Sequence, residues 1–397
     1  MINVNLYIER TFIMPNQSKK RRPDSYDERR IPRGKSRGAD NGRKRPGGKK
    51  RFNKVLITFE IIAMVFLLGV GYLYSRLGQL NYTSLADTET FADSGPYTNI
   101  ALFGLDSRND QLDAGVNSDT MIIASINNTT KEVKLVSVYR DTYLRQASGS
   151  YAKANSAYCT GGPQAAVNML NKNLDLDIKN YASVNFAALI SIVNDLGGIE
   201  MDLTAEEAYW LDGYICETAE SAGVPGNLLA NENGGTYKLD GVQATAFCRI
   251  RYTSGSDFKR TERQREVISK IVEKFKNANI ITINKVINDV FPKISTSLTS
   301  NQILGMALHA GSYKLAGTSG FPYNLVDSWY DKNKAVCVVP IGLAQNVTKL
   351  HSYLFPDQTY ATSDEVNQIN NELIKITGIN PDKYDLSDEV DTSQSGE

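Results

Sequence analysis

Two carboxylates and an arginine, Asp106, Asp119 and Arg140, stand at the ends of three apolar segments, and as a set they suit a divalent metal and a phosphate. Residues 98–105 are an apolar run of β-branched and aromatic residues bounded by turn formers, which predicts a buried strand ending just before Asp106. Residues 120–126 predict a second strand leaving from Asp119, and 132–139 a third returning to Arg140, with a hairpin turn at 127–131 between them. The two arms are nearly equal in length, so Asp119 and Arg140 are expected side by side. If the first strand runs antiparallel beside the second, Asp106 joins them on one edge of the sheet, where loops carry function.

The second half of the chain adds cations. Leu239-Asp240-Gly241 opens an apolar helical stretch expected over 242–250 that runs into Arg249 and Arg251. After a Gly/Ser loop a new helix is expected from Asp257 as N-cap, and on it Arg260, Arg263 and Gln264 fall at i, i+3 and i+4, hence on one face. Arginine suits phosphate because its planar fork donates two hydrogen bonds and keeps its charge. Arg108, Lys153 and Asn155 are further candidates, while Arg145 and Arg265 read as solvated surface charges and Asp141 as a structural partner of Arg140.

The elements that must hold these groups alternate in type. Lys153 and Asn155 fall in a loop, Gly161-Gly162-Pro163 opens a helix to about residue 170, and 181–184, 186–196 and 197–203 read as strand, helix, then turn and strand. Beyond the arginine helix, 280–298 and 299–315 read as helical, 334–341 as a strand and 363–376 as a closing helix. Alternation of strands and helices argues a mixed α/β sheet within one layered domain, residues 97–380.

The order Gly104-Leu105-Asp106-Ser107-Arg108, Ser118-Asp119-Thr120-Met121, Arg140-Asp141-Thr142, Lys153-x-Asn155, Gly161-Gly162-Pro163, Leu239-Asp240-Gly241, Arg249-x-Arg251-Tyr252 and Asp257-Phe258-x-Arg260-x-x-Arg263-Gln264 resembles the LytR-CpsA-Psr family of cell-envelope proteins. The resemblance runs over about residues 99–275 with its motifs collinear. It implies a transferase that moves an anionic glycopolymer, of teichoic acid or capsular polysaccharide type, from undecaprenyl pyrophosphate onto peptidoglycan, with magnesium, in a three-layer α/β/α sandwich with a mixed central sheet. Tyr139 stands where the family commonly has proline and Lys259 where it commonly has glycine; both flank the charged groups without replacing them.

Formal charge is zero, from 44 basic and 44 acidic residues, yet the charges are segregated. Residues 1–54 are strongly basic and 381–397 acidic, and both read as disordered tails. Residues 55–74 are almost wholly apolar and span about 30 Å as a helix, the thickness of a bilayer core. Bulky Tyr72, Leu73 and Tyr74 end the run where a signal peptide would have small residues, so an uncleaved transmembrane anchor is expected. Its basic N-terminal flank predicts a cytoplasmic tail and an extracellular domain, with 75–96 as a polar stalk. The basic tail lacks aromatic interleaving, so anionic lipid explains it better than nucleic acid. Met14 is the expected start of translation, since a polar N-terminus follows it.

Elimination narrows the chemistry further. With two histidines, and with no His-Glu-x-x-His, Gly-x-Ser-x-Gly or Walker motif, the chain does not read as a zinc or serine hydrolase or a P-loop enzyme. Four cysteines without close spacing exclude a thiolate metal site; Cys159 with Cys216 is the expected disulfide, Cys248 and Cys337 buried core. Phosphoryl-type transfer remains, with magnesium on Asp106 and Asp119, one of these as base, and Arg140, Arg249, Arg251, Arg260 and Arg263 on the pyrophosphate. A helix such as 186–196 would supply an apolar tunnel for the isoprenoid. A non-catalytic polyprenyl-phosphate binding protein and a pyrophosphatase are the alternatives.

Overall fold

The computed structural model describes residues 71–384 and Met64, apart from residues 73, 87, 92, 108–110, 230 and 254–255 and the side chains of 256–257. In chain order its strands are β1 (Asn81–Tyr82), β2 (Tyr97–Leu105), β3 (Ser118–Asn127), β4 (Glu132–Val138), β5 (Tyr143–Arg145), β6 (Tyr151–Lys153), β7 (Asn180–Asn185), β8 (Ile199–Leu203), β9 (Gly235–Leu239), β10 (Ile294–Thr296), β11 (Lys314–Phe321), β12 (Leu325–Tyr330) and β13 (Val336–Pro340). The seven-stranded central sheet has the order β1-β10-β7-β2-β3-β4-β11. It is mixed: β2, β3 and β4 form the expected antiparallel meander, while β7 runs parallel to β2 and β11 parallel to β4.

Period-two alternation sorts the two faces of that meander. Ala101, Phe103, Met121, Ile123, Val136 and Val138 form one core with the helices Ser156–Leu174, Leu343–Leu354 and Asp364–Thr377. Ile122, Ala124 and Leu135 form another on the opposite face, against Ile268 of the helix Ser256–Lys276. Each fully buried side chain of this size stabilises by about 1.5–3 kcal/mol, so a one-residue slip of a central strand would expose one core to water. Local chemistry marks the ends of elements: the Asn127 side chain accepts from the Thr129 and Thr130 amides in the β3–β4 turn, and Thr204, Asp240 and Thr299 each open a helix with a capping box.

Five expectations need correction. Residues 280–298 are not one helix: Ile280–Val290 stops before Pro292, which cannot continue it, and β10 follows. Residues 299–315 end their helix at Leu308, and β11 begins at Lys314. Glycines hide that strand from a propensity reading; at Gly320 a Cβ would lie 2.1 Å from the Tyr139 hydroxyl. The described residues of 75–96 lie along the domain rather than standing off it, with β1 at the sheet edge, Leu77 buried and Ser94 Oγ donating to Asp177 at 2.6 Å. Arg265 is buried, not solvated, and burial lowers its pKa. The first residues of the expected acidic tail 381–397, Pro381–Lys383, form a 3₁₀ turn with Pro381 buried rather than a disordered start. The anchor expected at 55–74 falls outside the described residues except Met64, Gly71, Tyr72 and Tyr74, as do the basic tail 1–54 and the acidic tail from 385. No helix among the described residues is long and apolar enough to cross a membrane.

Candidate functional site

A bulge in β3 places the central carboxylate. Phe103 pairs with Met121 and Gly104 with Thr120, but Leu105 pairs with Ser118, leaving Asp119 as the extra residue. Strict alternation would direct Asp119 to the same face as Met121, into the hydrophobic core. The bulge turns it instead to the opposite side, where it lines a cavity with Thr120 and Asp106.

Asp119 is the hub of a charge network. Arg140 Nη1 donates to both of its carboxylate oxygens at 3.0 Å, Arg251 Nη2 to Oδ2 at 3.3 Å, and Arg260 Nη2 to its backbone carbonyl at 3.3 Å, with Arg260 Nη1 3.8 Å from Oδ2. Three guanidiniums meet one carboxylate, so the cluster carries excess positive charge and favours an anion. On its far side Arg140 Nε lies 3.5 Å from Asp141, and Lys153 Nζ pairs with Asp141 at 2.8 Å. The Asn155 backbone amide donates to the Arg140 carbonyl at 3.0 Å, so Lys153 and Asn155 hold Arg140 from behind.

The arginine helix and its neighbours close the site. Arg260 is only 2% exposed, on the first turns of Ser256–Lys276. Gln264, one turn later, donates to the Cys248 carbonyl at 3.4 Å, and its buried Oε1 has no hydrogen-bond partner among the described residues. Arg249 Nη1 donates to Thr218 at 2.7 Å, and its guanidinium lies 5.2 Å over the Phe186 ring.

Asp119, Arg249, Arg251, Arg260 and Gln264 line one end of a cavity of about 530 Å³, with Arg140 joined to it through Asp119. From there it runs between the sheet and the helices Phe186–Asp195 and Ser256–Lys276, along aliphatic side chains that include Leu102, Val184, Leu189, Ile192, Ile268 and Ile271. An ionic head and an apolar channel in one cavity fit an amphiphile whose head is a phosphate ester. Asp106 and Asp119 share the head end, and among the described residues the Asp106 carboxylate makes neither an ion pair nor a hydrogen bond.

Residues 75–350 match the model of the LytR_cpsA_psr family. The chain belongs to the LytR-CpsA-Psr family. Among its relatives, the polyisoprenyl-teichoic acid–peptidoglycan teichoic acid transferase TagU of Enterococcus faecalis is 32% identical over 268 residues, which cover 64% of this chain and 78% of that one. The Bacillus subtilis protein of the same name is 28% identical over 267 residues, 64% and 79% of the two chains. Biofilm regulatory protein A of Streptococcus mutans is 27% identical over 267 residues, 62% and 63% of the two. A solved structure described as a transcriptional regulator, EF0465 from Enterococcus faecalis, superposes with a TM-score of 0.54 at 21% identity, over 72% of this chain and 98% of that one, and shares the fold.

Against the residues singled out in this LytR-CpsA-Psr chain, the structure is selective. It brings together Asp106, Asp119, Arg140, Arg249, Arg251, Arg260 and Gln264, with Lys153 and Asn155 behind Arg140. Arg263 is directed elsewhere: it points from the same helix into a bond with Glu207 at 2.8 Å. The expected face of Arg260, Arg263 and Gln264 splits because i+3 and i+4 neighbours diverge enough to meet different partners. Arg108 lies outside the described residues. Cys159 and Cys216 are both free, so the expected disulfide is not formed, whereas Cys248 and Cys337 are buried as anticipated, and burial pushes the Cys248 thiol up to about 12. The sequence reading passed over the helix Ala205–Ala222, whose Tyr214 and Glu217 reach the cavity; its signal was the capping box from Thr204 to Glu207.

Proposed function

We propose that this protein is a membrane-anchored phosphotransferase that moves an anionic glycopolymer of teichoic acid or capsular type from undecaprenyl pyrophosphate to peptidoglycan. The observation that carries this reading is the single cavity joining a carboxylate and guanidinium head to an aliphatic channel. The relatives' names supply the reaction class, since two of them are teichoic acid transferases acting between a polyisoprenyl carrier and peptidoglycan.

In this reading Arg140, Arg249, Arg251 and Arg260 bind the pyrophosphate oxygens and oppose the charge that gathers on them as the bond to the leaving phosphate breaks. Gln264 lines the cavity with them and orients a phosphate oxygen through its side-chain amide. An acceptor hydroxyl oxygen attacks the phosphorus nearest the polymer, the bond to the bridging oxygen breaks, and undecaprenyl phosphate departs along the channel. The hydroxyl proton passes to Asp106, whose carboxylate makes neither an ion pair nor a hydrogen bond among the described residues.

Magnesium fits the donor set. Two carboxylates on one cavity wall, with phosphate oxygens and water completing the shell, is the coordination this ion accepts, and among the described residues no group of three or more His, Cys, Asp or Glu is placed to hold a metal alone. Held by Asp106 and Asp119, it would neutralise pyrophosphate charge as a Lewis acid.

Residues 55–74 are assigned as the anchor, with the basic tail in the cytoplasm and the domain on the outer face beside its lipid substrate. The test is transfer by the full chain in detergent, given a radiolabelled prenyl-pyrophosphate-linked glycan, magnesium and peptidoglycan oligomers. Label on peptidoglycan that EDTA abolishes supports the reading. Lipid binding without transfer would leave a binding protein, and release of free glycan phosphate a pyrophosphatase.

A further inference from the structure

Beside the charged head of the cavity, four aromatic rings form an unbroken file that no step of the proposed transfer uses. Tyr209, Trp210 and Tyr214 come from the helix Ala205–Ala222, and Tyr252 from the loop directly after Arg251. Ring centroids step from Tyr209 to Trp210 in 5.3 Å, on to Tyr252 in 5.1 Å, and from Tyr252 to Tyr214 in 6.2 Å. The file begins at the arginines, because the Tyr214 hydroxyl accepts from the Arg251 backbone amide at 3.1 Å and both Tyr214 and Tyr252 reach the cavity.

These rings are not core. Tyr252 is 68% exposed and Tyr209 58%, while Trp210 and Tyr214 are half-buried and rest on the apolar cluster beneath them. Exposed aromatic surface of this kind, rimmed by polar groups, marks a place where something binds. Carboxylates stand beside the rings: Glu206 and Glu217 lie on the same helix, one turn from Tyr209 and Tyr214, and Glu217 is 3.7 Å from Arg249. Carboxylates beside the rings accept readily from hydroxyls.

We infer that this file is a stacking platform for a pyranose ring next to the reacting phosphate. A pyranose has one face of C–H groups, which suits the electron-rich face of an aromatic ring, and a rim of hydroxyls, which suits carboxylates. Two sugars of the proposed reaction meet this description, the first sugar of the lipid-linked glycan and the acceptor sugar of peptidoglycan. The platform rests on the function proposed above and adds to it a subsite for carbohydrate, distinct from the arginines that hold phosphate.

The experiment uses the full chain and three probes: a prenyl pyrophosphate without sugar, the same lipid bearing a disaccharide, and peptidoglycan oligomers as acceptor. With Tyr209→Ala or Trp210→Ala, neither of which lines the cavity, affinity for the sugar-bearing lipid falls by about five- to tenfold while that for the bare lipid holds, if the donor sugar stacks here. If the acceptor sugar stacks here, both lipid affinities hold and the KM for peptidoglycan rises by the same factor with kcat little changed. Tyr209→Phe, which keeps the ring, restores either effect. Unchanged binding and kinetics in both alanine variants overturn the platform, as does an equal loss for the bare and the sugar-bearing lipid. Failure of the wild-type protein to bind the bare lipid overturns the proposed function, and the platform with it.

Discussion

Arg263 Nε donates to Glu207 Oε1 at 2.8 Å, and the rest of its guanidinium donates to the Ile250 carbonyl at 3.1 Å and the Thr253 hydroxyl at 2.6 Å. One nearly buried side chain thus ties the arginine helix to the start of Ala205–Ala222 and to the segment that carries Arg249 and Arg251. Glu207 is bound twice, since it also closes the capping box with Thr204. Arg263→Met is expected to cost about 3 kcal/mol of stability, because it strands a largely buried carboxylate. Arg263→Lys recovers only part of this, since an ammonium cannot serve three acceptors in the geometry of the fork. Urea unfolding midpoints measure both; a wild-type midpoint for Arg263→Met would return this residue to the phosphate site.

Asp119→Ala and Arg140→Ala are expected to lower transfer by at least about 10²-fold, the usual cost of removing one charge-stabilising group from a reacting centre. Their folds should survive, because Asp119 lies in a strand bulge and Arg140 beyond the end of β4. Radiolabel transfer together with circular dichroism separates the two effects. Full activity in either variant would remove the network around Asp119 from the mechanism.

Gly241 follows the capping residue Asp240 in the Leu-Asp-Gly motif, and the structure gives its reason. A Cβ there would lie 2.2 Å from the Ile190 carbonyl oxygen, a backbone atom with no rotamer to yield. Gly241→Ala must push apart the helices Phe186–Asp195 and Gly241–Phe247 and should destabilise by about 3 kcal/mol. Thermal unfolding reads this directly, and an unshifted melting temperature would show that the helices part without cost.

His351 links stability to pH. Its ring stacks on Tyr360 with centroids 3.6 Å apart and Nε2 donates to the Leu174 carbonyl at 2.9 Å, and burial holds its pKa below the ordinary 6.5, a shift that the Leu174 bond only partly offsets. The folded state therefore prefers neutral imidazole. Its contribution is complete above pH 6.5 and is lost as pH falls below that value, where the unfolded chain binds the proton first. His351→Phe should flatten that part of the stability profile, measured as urea midpoints between about pH 5 and pH 7. An unaltered slope would assign the acid sensitivity to other groups.

What the sequence by itself determined is what short-range physics controls. Period-two alternation over 98–105, 120–126 and 132–139 specified the meander, because each residue's face depends only on its neighbours along the strand. Asp240 and Ser363 marked helix starts through bonds to amides three residues on. Motif order then selected most of the charged cluster. The tertiary structure alone decided the rest. β10, against a local pattern that read as helix, and β11, most of which carried no strand pattern of its own, became strands because partners about a hundred residues or more away in the chain, β7 and β4, accept them. Arg260 and Arg263, three residues apart on one helix, were parted by what each meets, Asp119 in one case and Glu207 in the other. Asp119 owes its place in the cavity to one extra residue between Gly104 and Leu105 in the register of β3, and register is a property of two paired strands, which no single strand's residues can carry.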